Sequence, residues 1–204
     1  MTGRRRVVVT GLGAVSPVGN DVASSWEALL AGRSGIGPIT RFDASGLGCR
    51  IAGEVKGFDE GLVAVPETAR QFAGRATKFC LAAAQEALRN AKIAPGSVEP
   101  ARMGISLGAS EETYTLSRFD DAFVAADIFH YLESNSLSYL KGSKPLGHIW
   151  PVRKCAHITS QIVSMTFGAL GPSSASSTAC ASSTHAVGKA LRMIEHGDAD
   201  VVIA

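Results

Sequence analysis

One strand–turn–helix–strand unit near the C-terminal end restricts the fold of this chain most. Small residues run from Ser173 to Thr178 and read as a buried strand or its approach. They end at Cys180, after which Val187, Ala190, Leu191 and Ile194 fall at the i, i+3, i+4, i+7 spacing of one buried helical stripe. Gly197 stops that helix, and residues 199–204 form an apolar strand. A sharp turn that carries a thiol between a strand and a helix has the layout of a nucleophile elbow. There the thiol meets the positive end of the helix dipole and unpaired amide N–H groups, both of which favour negative charge. The thiolate is the form that attacks carbonyl carbons, and the same amides can hold a developing oxyanion. A buried, inert cysteine is the plain alternative. The small neighbours Ala179, Ala181, Ser182 and Ser183 weigh against it, because they leave the thiol open to a substrate.

The same alternation recurs upstream. Val7-Val8-Val9 reads as a strand buried on both faces. Gly11-Leu12-Gly13 follows, but a dinucleotide loop would need a third glycine where Ser16 stands, and Pro17 and Gly19 prolong the turn. Glycines that permit a tight strand exit are the better reading. Asn20 or Asp21 caps a helix with Val22, Trp26, Leu29 and Leu30 on one face, and Gly32 ends it. Residues 34–48 form a glycine-rich loop, and 50–55 alternate as a short edge strand. The pattern predicts a helix over 69–91, with Phe72, Ala76, Phe79, Cys80 and Ala83 in its buried stripe and Arg75 and Lys78 facing out. Residues 103–107 are the next buried strand. A helix is predicted over 119–132, and another over 153–170. Strands alternating with helices make this an α/β layered fold, counted as one domain over residues 1–204.

A net charge of +2 is too small to argue for nucleic acid or an anionic membrane surface as a partner. No apolar run approaches the ~20 residues of a membrane span. The four cysteines, at 49, 80, 155 and 180, form no Cys-x-x-Cys pair and no metal-finger spacing. Free thiols in a reducing cytosol are the natural reading, so a cytoplasmic location is expected. Neither a metal nor an organic cofactor is implied.

Gly171-Pro172-Ser173 through Thr178-Ala179-Cys180-Ala181-Ser182-Ser183-Thr184-His185-Ala186, followed by Gly197-Asp198-Ala199-Asp200-Val201-Val202-Ile203-Ala204, closely resembles the nucleophile region of β-ketoacyl-acyl-carrier-protein synthases. The opening, from Arg5 to Asn20, is similar to the first strand and turn of the same family. The resemblance implies a thiolase-like layered fold, α-β-α-β-α in the complete enzyme, in which two pseudo-symmetric halves pack together and this sequence is the first. Ala204 closes an apolar strand with no turn after it, as expected of such a half. The implied reaction is a decarboxylative Claisen condensation in fatty-acid or polyketide biosynthesis, through an acyl-cysteine formed on Cys180. Acyl carrier protein is the implied partner, and a homodimer, or a heterodimer with a related synthase subunit, the implied assembly. The Thr178-Ala179-Cys180 form resembles discrete synthases more than large modular ones.

The family takes its two decarboxylation histidines from the second half, so the histidines present here are not drafted into that role, and the 204-residue piece alone is expected to be inactive in condensation. His185 is read as structural. Two departures affect the acyl pocket. Glu111 stands where the family places an apolar pocket residue, and His157 where it usually has asparagine. A carboxylate beside an alkyl chain would cost several kcal/mol unless paired. The alternative function is a non-catalytic, chain-length-factor-like partner of a condensing heterodimer; such subunits generally lack the cysteine that this chain has.

Overall fold

The computed structural model describes residues 5–109 and 157–204. In chain order its elements are α1 (Val22–Leu30), β1 (Ile36–Pro38), β2 (Ile51–Gly53), α2 (Arg75–Asn90), β3 (Met103–Gly108), α3 (His157–Phe167), β4 (Ser173–Ser176), α4 (Ser182–His196) and β5 (Val201–Ile203). The helix expected over 119–132 lies outside the described residues.

β3 is the centre of a parallel three-stranded sheet in the order β4-β3-β5, with Ile105 opposite Ser173 on one side and Ile203 on the other. Successive side chains of a strand point to opposite faces. Met103, Ile105 and Leu107 enter the core with Leu81 and Ala84 of α2 and Ile162 and Val163 of α3. The intervening Gly104, Ser106 and Gly108 face the other way, where Ser106 Oγ donates to the Ala186 carbonyl of α4 at 2.8 Å. Helices α2 and α3 therefore cover one face of the sheet, and α4 the other. Leu81, Ile105 and Val163 are fully buried, each contributing roughly 1.5–3 kcal/mol by leaving water.

The α/β alternation matches the expectation, and several details correct it. Val7–Val9 is not a strand, and Val9 is 77% exposed. A β-branched run predicts a strand only where a neighbour completes the ladder, and this segment instead leads into a turn that lies against α2. A Cβ on Gly11 would meet the Ala87 carbonyl oxygen at 2.1 Å, and one on Gly13 the Ala83 oxygen at 1.8 Å. Leu12 N donates to Asn90 Oδ1, and Ala14 N to Glu86 Oε2. The space at those glycines is filled by helix backbone, as a tight approach of this turn to α2 requires.

Asp21 caps α1, accepting from Ser24 N at 2.6 Å, and Gly32 closes it at φ +64°. Its buried residues, however, are Ser25 and Ala28, while Trp26 is 60% exposed. α2 starts at Arg75 rather than 69, because Gly74 holds an extended conformation (φ −83°, ψ −174°) and Glu67–Ala69 is a separate 3-10 turn. Ala76 is exposed, while Arg75 and Lys78 are half-buried and paired with Glu60 at 2.5 and 2.7 Å. The glycine-rich loop contains β1, antiparallel to β2. In α4 the buried positions are Ser182, Ala186 and Ala190, and Val187 is 57% exposed. The helix lies so close to the small residues of β3 that only small side chains fit between them.

Candidate active site

β4 ends at Ser176, and the chain then turns sharply into α4. The turn is a single 3-10 stretch, Ala179–Ala181, with Cys180 at its middle and exposed. Ala179 has φ +50°, a left-handed conformation that is strained for any residue with a Cβ. The elbow expected from the small-residue run is therefore present, and its strain sits one residue before the thiol. Among the described residues the Cys180 N–H has no hydrogen-bond partner, so this donor is free at the start of the helix.

Ser182 ties the turn together. Thr178 N donates to Ser182 Oγ at 2.8 Å, and Ser182 Oγ donates to the Ala179 carbonyl at 2.7 Å. Beneath it, the end of β3 comes so near that a Cβ on Gly108 would lie 2.5 Å from Ser182 C and Ser183 N. His185 Nδ1 is 3.0 Å from Thr178 Oγ1. His185 is exposed, so its structural role is a surface bond to the elbow, not core filling.

Cys155 lies outside the described residues, and the other two cysteines divide by environment. Cys80 packs against the core, and burial pushes its thiol up to about 11, so it is core filling as expected. Cys49 is exposed, with Sγ 3.5 Å from the Ile51 carbonyl. His157 opens α3, exposed, its carbonyl accepting from Ser160 Oγ at 2.8 Å. No hydrogen bond among the described residues joins it to Cys180. Glu111 lies outside the described residues. Nothing in the sequence alone marks the roles of Ser182 and the strained Ala179. The local signal for a close approach there is Gly108, a glycine at the end of a buried strand.

A shallow cavity of about 520 Å³ runs along the outer face of α4, lined by residues that include His185, Lys189, Arg192 and His196. Cys180 does not line it. Among the described residues there is no group of His, Cys, Asp or Glu placed to hold a metal, and no helix long and apolar enough to cross a membrane.

Comparison with known proteins agrees with this geometry. The beta-ketoacyl synthase N-terminal domain matches residues 4–204. The chain is 34% identical to the 3-oxoacyl-acyl-carrier-protein synthase 2 of Synechocystis sp. over 203 residues, covering 98% of this chain and 44% of that protein. It is also 34% identical to the synthase of the same name from Coxiella burnetii, covering 98% of this chain and 45% of that protein. The chain thus spans less than half the length of these relatives. Among solved structures, the ishigamide ketosynthase/chain length factor superposes with a TM-score of 0.74 at 26% identity, over 98% of this chain and 46% of that one. The thiolase-like α/β architecture is the one expected from the resemblance. The chain belongs to the beta-ketoacyl synthase family, whose N-terminal domain it carries.

Proposed function

We propose that Cys180 is the nucleophile of a β-ketoacyl-acyl-carrier-protein synthase and is loaded with an acyl group from a carrier-protein thioester. The observation that carries this reading is the exposed thiol on a strained turn at the start of α4, with its own N–H unpartnered among the described residues. The thiolate adds to the thioester carbonyl, and the oxygen that becomes negative meets the Cys180 N–H and the positive end of the helix. Collapse re-forms the carbonyl, leaves an acyl–sulfur bond on Cys180 and expels the carrier thiolate, which takes up a proton. In the full reaction a malonyl thioester then loses its carboxylate as CO2. Its enolate carbon attacks the acyl-cysteine, a carbon–carbon bond forms, and the Cys180 thiolate leaves. The relatives' names include the acyl carrier protein, which supports it as donor and acceptor partner. In this reading Glu111 and His157 belong to the acyl pocket, and the protein works as a dimer.

The test is incubation of the full-length protein with an acyl-carrier thioester, followed by intact mass and peptide mapping. An acyl adduct on the peptide that holds Cys180, absent from Cys180→Ala, is expected. No adduct, or an adduct that survives the substitution, would sink the reading. One structural neighbour is a ketosynthase/chain length factor, but a non-catalytic subunit needs no exposed thiol on an elbow.

A further inference from the structure

We propose that Ser182 is the positioning residue of Cys180: its hydroxyl holds the peptide group before Thr178 and the one after Ala179, and so the strained turn that presents the thiol. This deepens the proposed function and rests on it. A serine hydroxyl can accept and donate at once, and this one does both across the strained residue. It accepts from Thr178 N at 2.8 Å on the near side and donates to the Ala179 carbonyl at 2.7 Å on the far side. The Ser182 N–H donates to the same carbonyl. Thr178 and Ala179 are thereby fixed at both ends of the φ +50° conformation, which an alanine would otherwise leave.

Ser182 is itself closely packed. It is buried, and the backbone of Gly108 lies against it with no room for a side chain. Nor is the hydroxyl an ordinary helix cap. The residue before it, Ala181, is the N-cap of α4 and makes no side-chain capping bond, while the Ser182 side chain points back into the turn. The Ala179 carbonyl and the Cys180 N–H belong to one planar peptide group, so a clamp on that carbonyl sets the direction in which the N–H points beside the thiol. That relation matters when a thioester carbonyl must meet both at once, and not when a thiol reacts by simple displacement.

The experiment compares wild type and Ser182→Ala in the full-length protein with two probes of Cys180. Acylation by an acyl-carrier thioester forms an oxyanion, whereas alkylation by iodoacetamide does not. Acylation is expected to fall ~10-fold or more, since a misplacement of about 1 Å can cost about 100-fold, while alkylation stays near the wild-type rate. Ala179→Gly supplies a second arm, because glycine adopts a positive φ freely. In that background the loss caused by Ser182→Ala is expected to shrink. If Ser182→Ala alone does not fold, recovery of the fold by added Ala179→Gly supports the clamp, and a double variant that is equally unfolded overturns it. Unchanged acylation in Ser182→Ala, an equal fall with both probes, or the same loss in both backgrounds overturns the proposal while Cys180 keeps its role. Wild-type protein that takes no acyl group overturns the parent reading, and this one with it.

Discussion

Gly108 shows how narrowly single residues shape the elbow. The atoms that a Cβ there would strike are Ser182 C, Ser183 N and Ser183 Cα, at 2.5, 2.5 and 2.7 Å. All three are main chain, so no side chain can swing aside. Gly108→Ala must therefore push the start of α4 away from β3 or bend the strand, and overpacking of this sort costs about 1–3 kcal/mol. A lowered midpoint in chemical denaturation is expected, together with slower acylation of Cys180. A variant as stable as wild type would show that the strand end yields freely. The exposure of the Cys180 thiol was legible in the sequence, because its small neighbours leave it open. The clamp was not legible, because a serine two residues after a cysteine has many possible partners, and only the fold shows that its hydroxyl turns back to Thr178 and Ala179.

Between elements, the Glu86 carboxylate is a shared acceptor. Glu86 on α2 accepts from Ala14 N at 2.9 Å through one oxygen and from Val22 N, at the first residue of α1, through the other, also at 2.9 Å. It thus joins the turn of Gly11–Ala14, α1 and α2, and places negative charge at a helix N-terminus. Glu86→Ala leaves two part-buried amides without this acceptor, and the expected cost is about 2 kcal/mol or more. Faster hydrogen exchange at Ala14 and Val22, and a lower denaturation midpoint, are the readouts; exchange unchanged at both amides would contradict the assignment. The larger helices and the strands of the central sheet could be read from periodicity, but Val7–Val9 is no strand, β1 lies where a loop was expected, and helix faces could not be read. In α1 and α4 the large apolar residues mark the outer face, and Ser25, Ala28, Ser182, Ala186 and Ala190 mark the inner one. Periodicity assumes that the largest apolar side chains are the buried ones. That assumption fails where a helix must approach a strand of Gly104, Ser106 and Gly108 closely enough for a serine hydroxyl to reach a helix carbonyl.

Across the whole molecule, three distant stretches of chain meet at Asp200. Arg102, just before β3, donates to both of its carboxylate oxygens, at 3.0 and 2.7 Å, and Arg5 adds a third bond at 3.0 Å. Arg102 also donates to the Gly197 carbonyl at 2.8 Å, at the end of α4, while Asp200 N donates back to the Arg102 carbonyl at 2.8 Å. Hydrogen bonds from Arg102, and then from Arg5, hold the Asp200 carboxyl down at about 2 against an ordinary value of 3.8. A carboxyl lowered on folding adds stability that is complete above its unfolded value and disappears as pH falls through its folded value. The difference in denaturation midpoint between wild type and Asp200→Asn is therefore expected to hold constant from about pH 5 to about pH 7, and to close between 3.8 and about 2. Added salt is expected to narrow it, since the group is exposed to solvent and screened there. Midpoints measured at fixed salt across this range decide the matter. A gap that persists unchanged down to the lower limit would mean that the carboxylate charge is not what joins Arg5, Arg102 and the end of α4, and that the backbone bond from Asp200 N to Arg102 holds them without it.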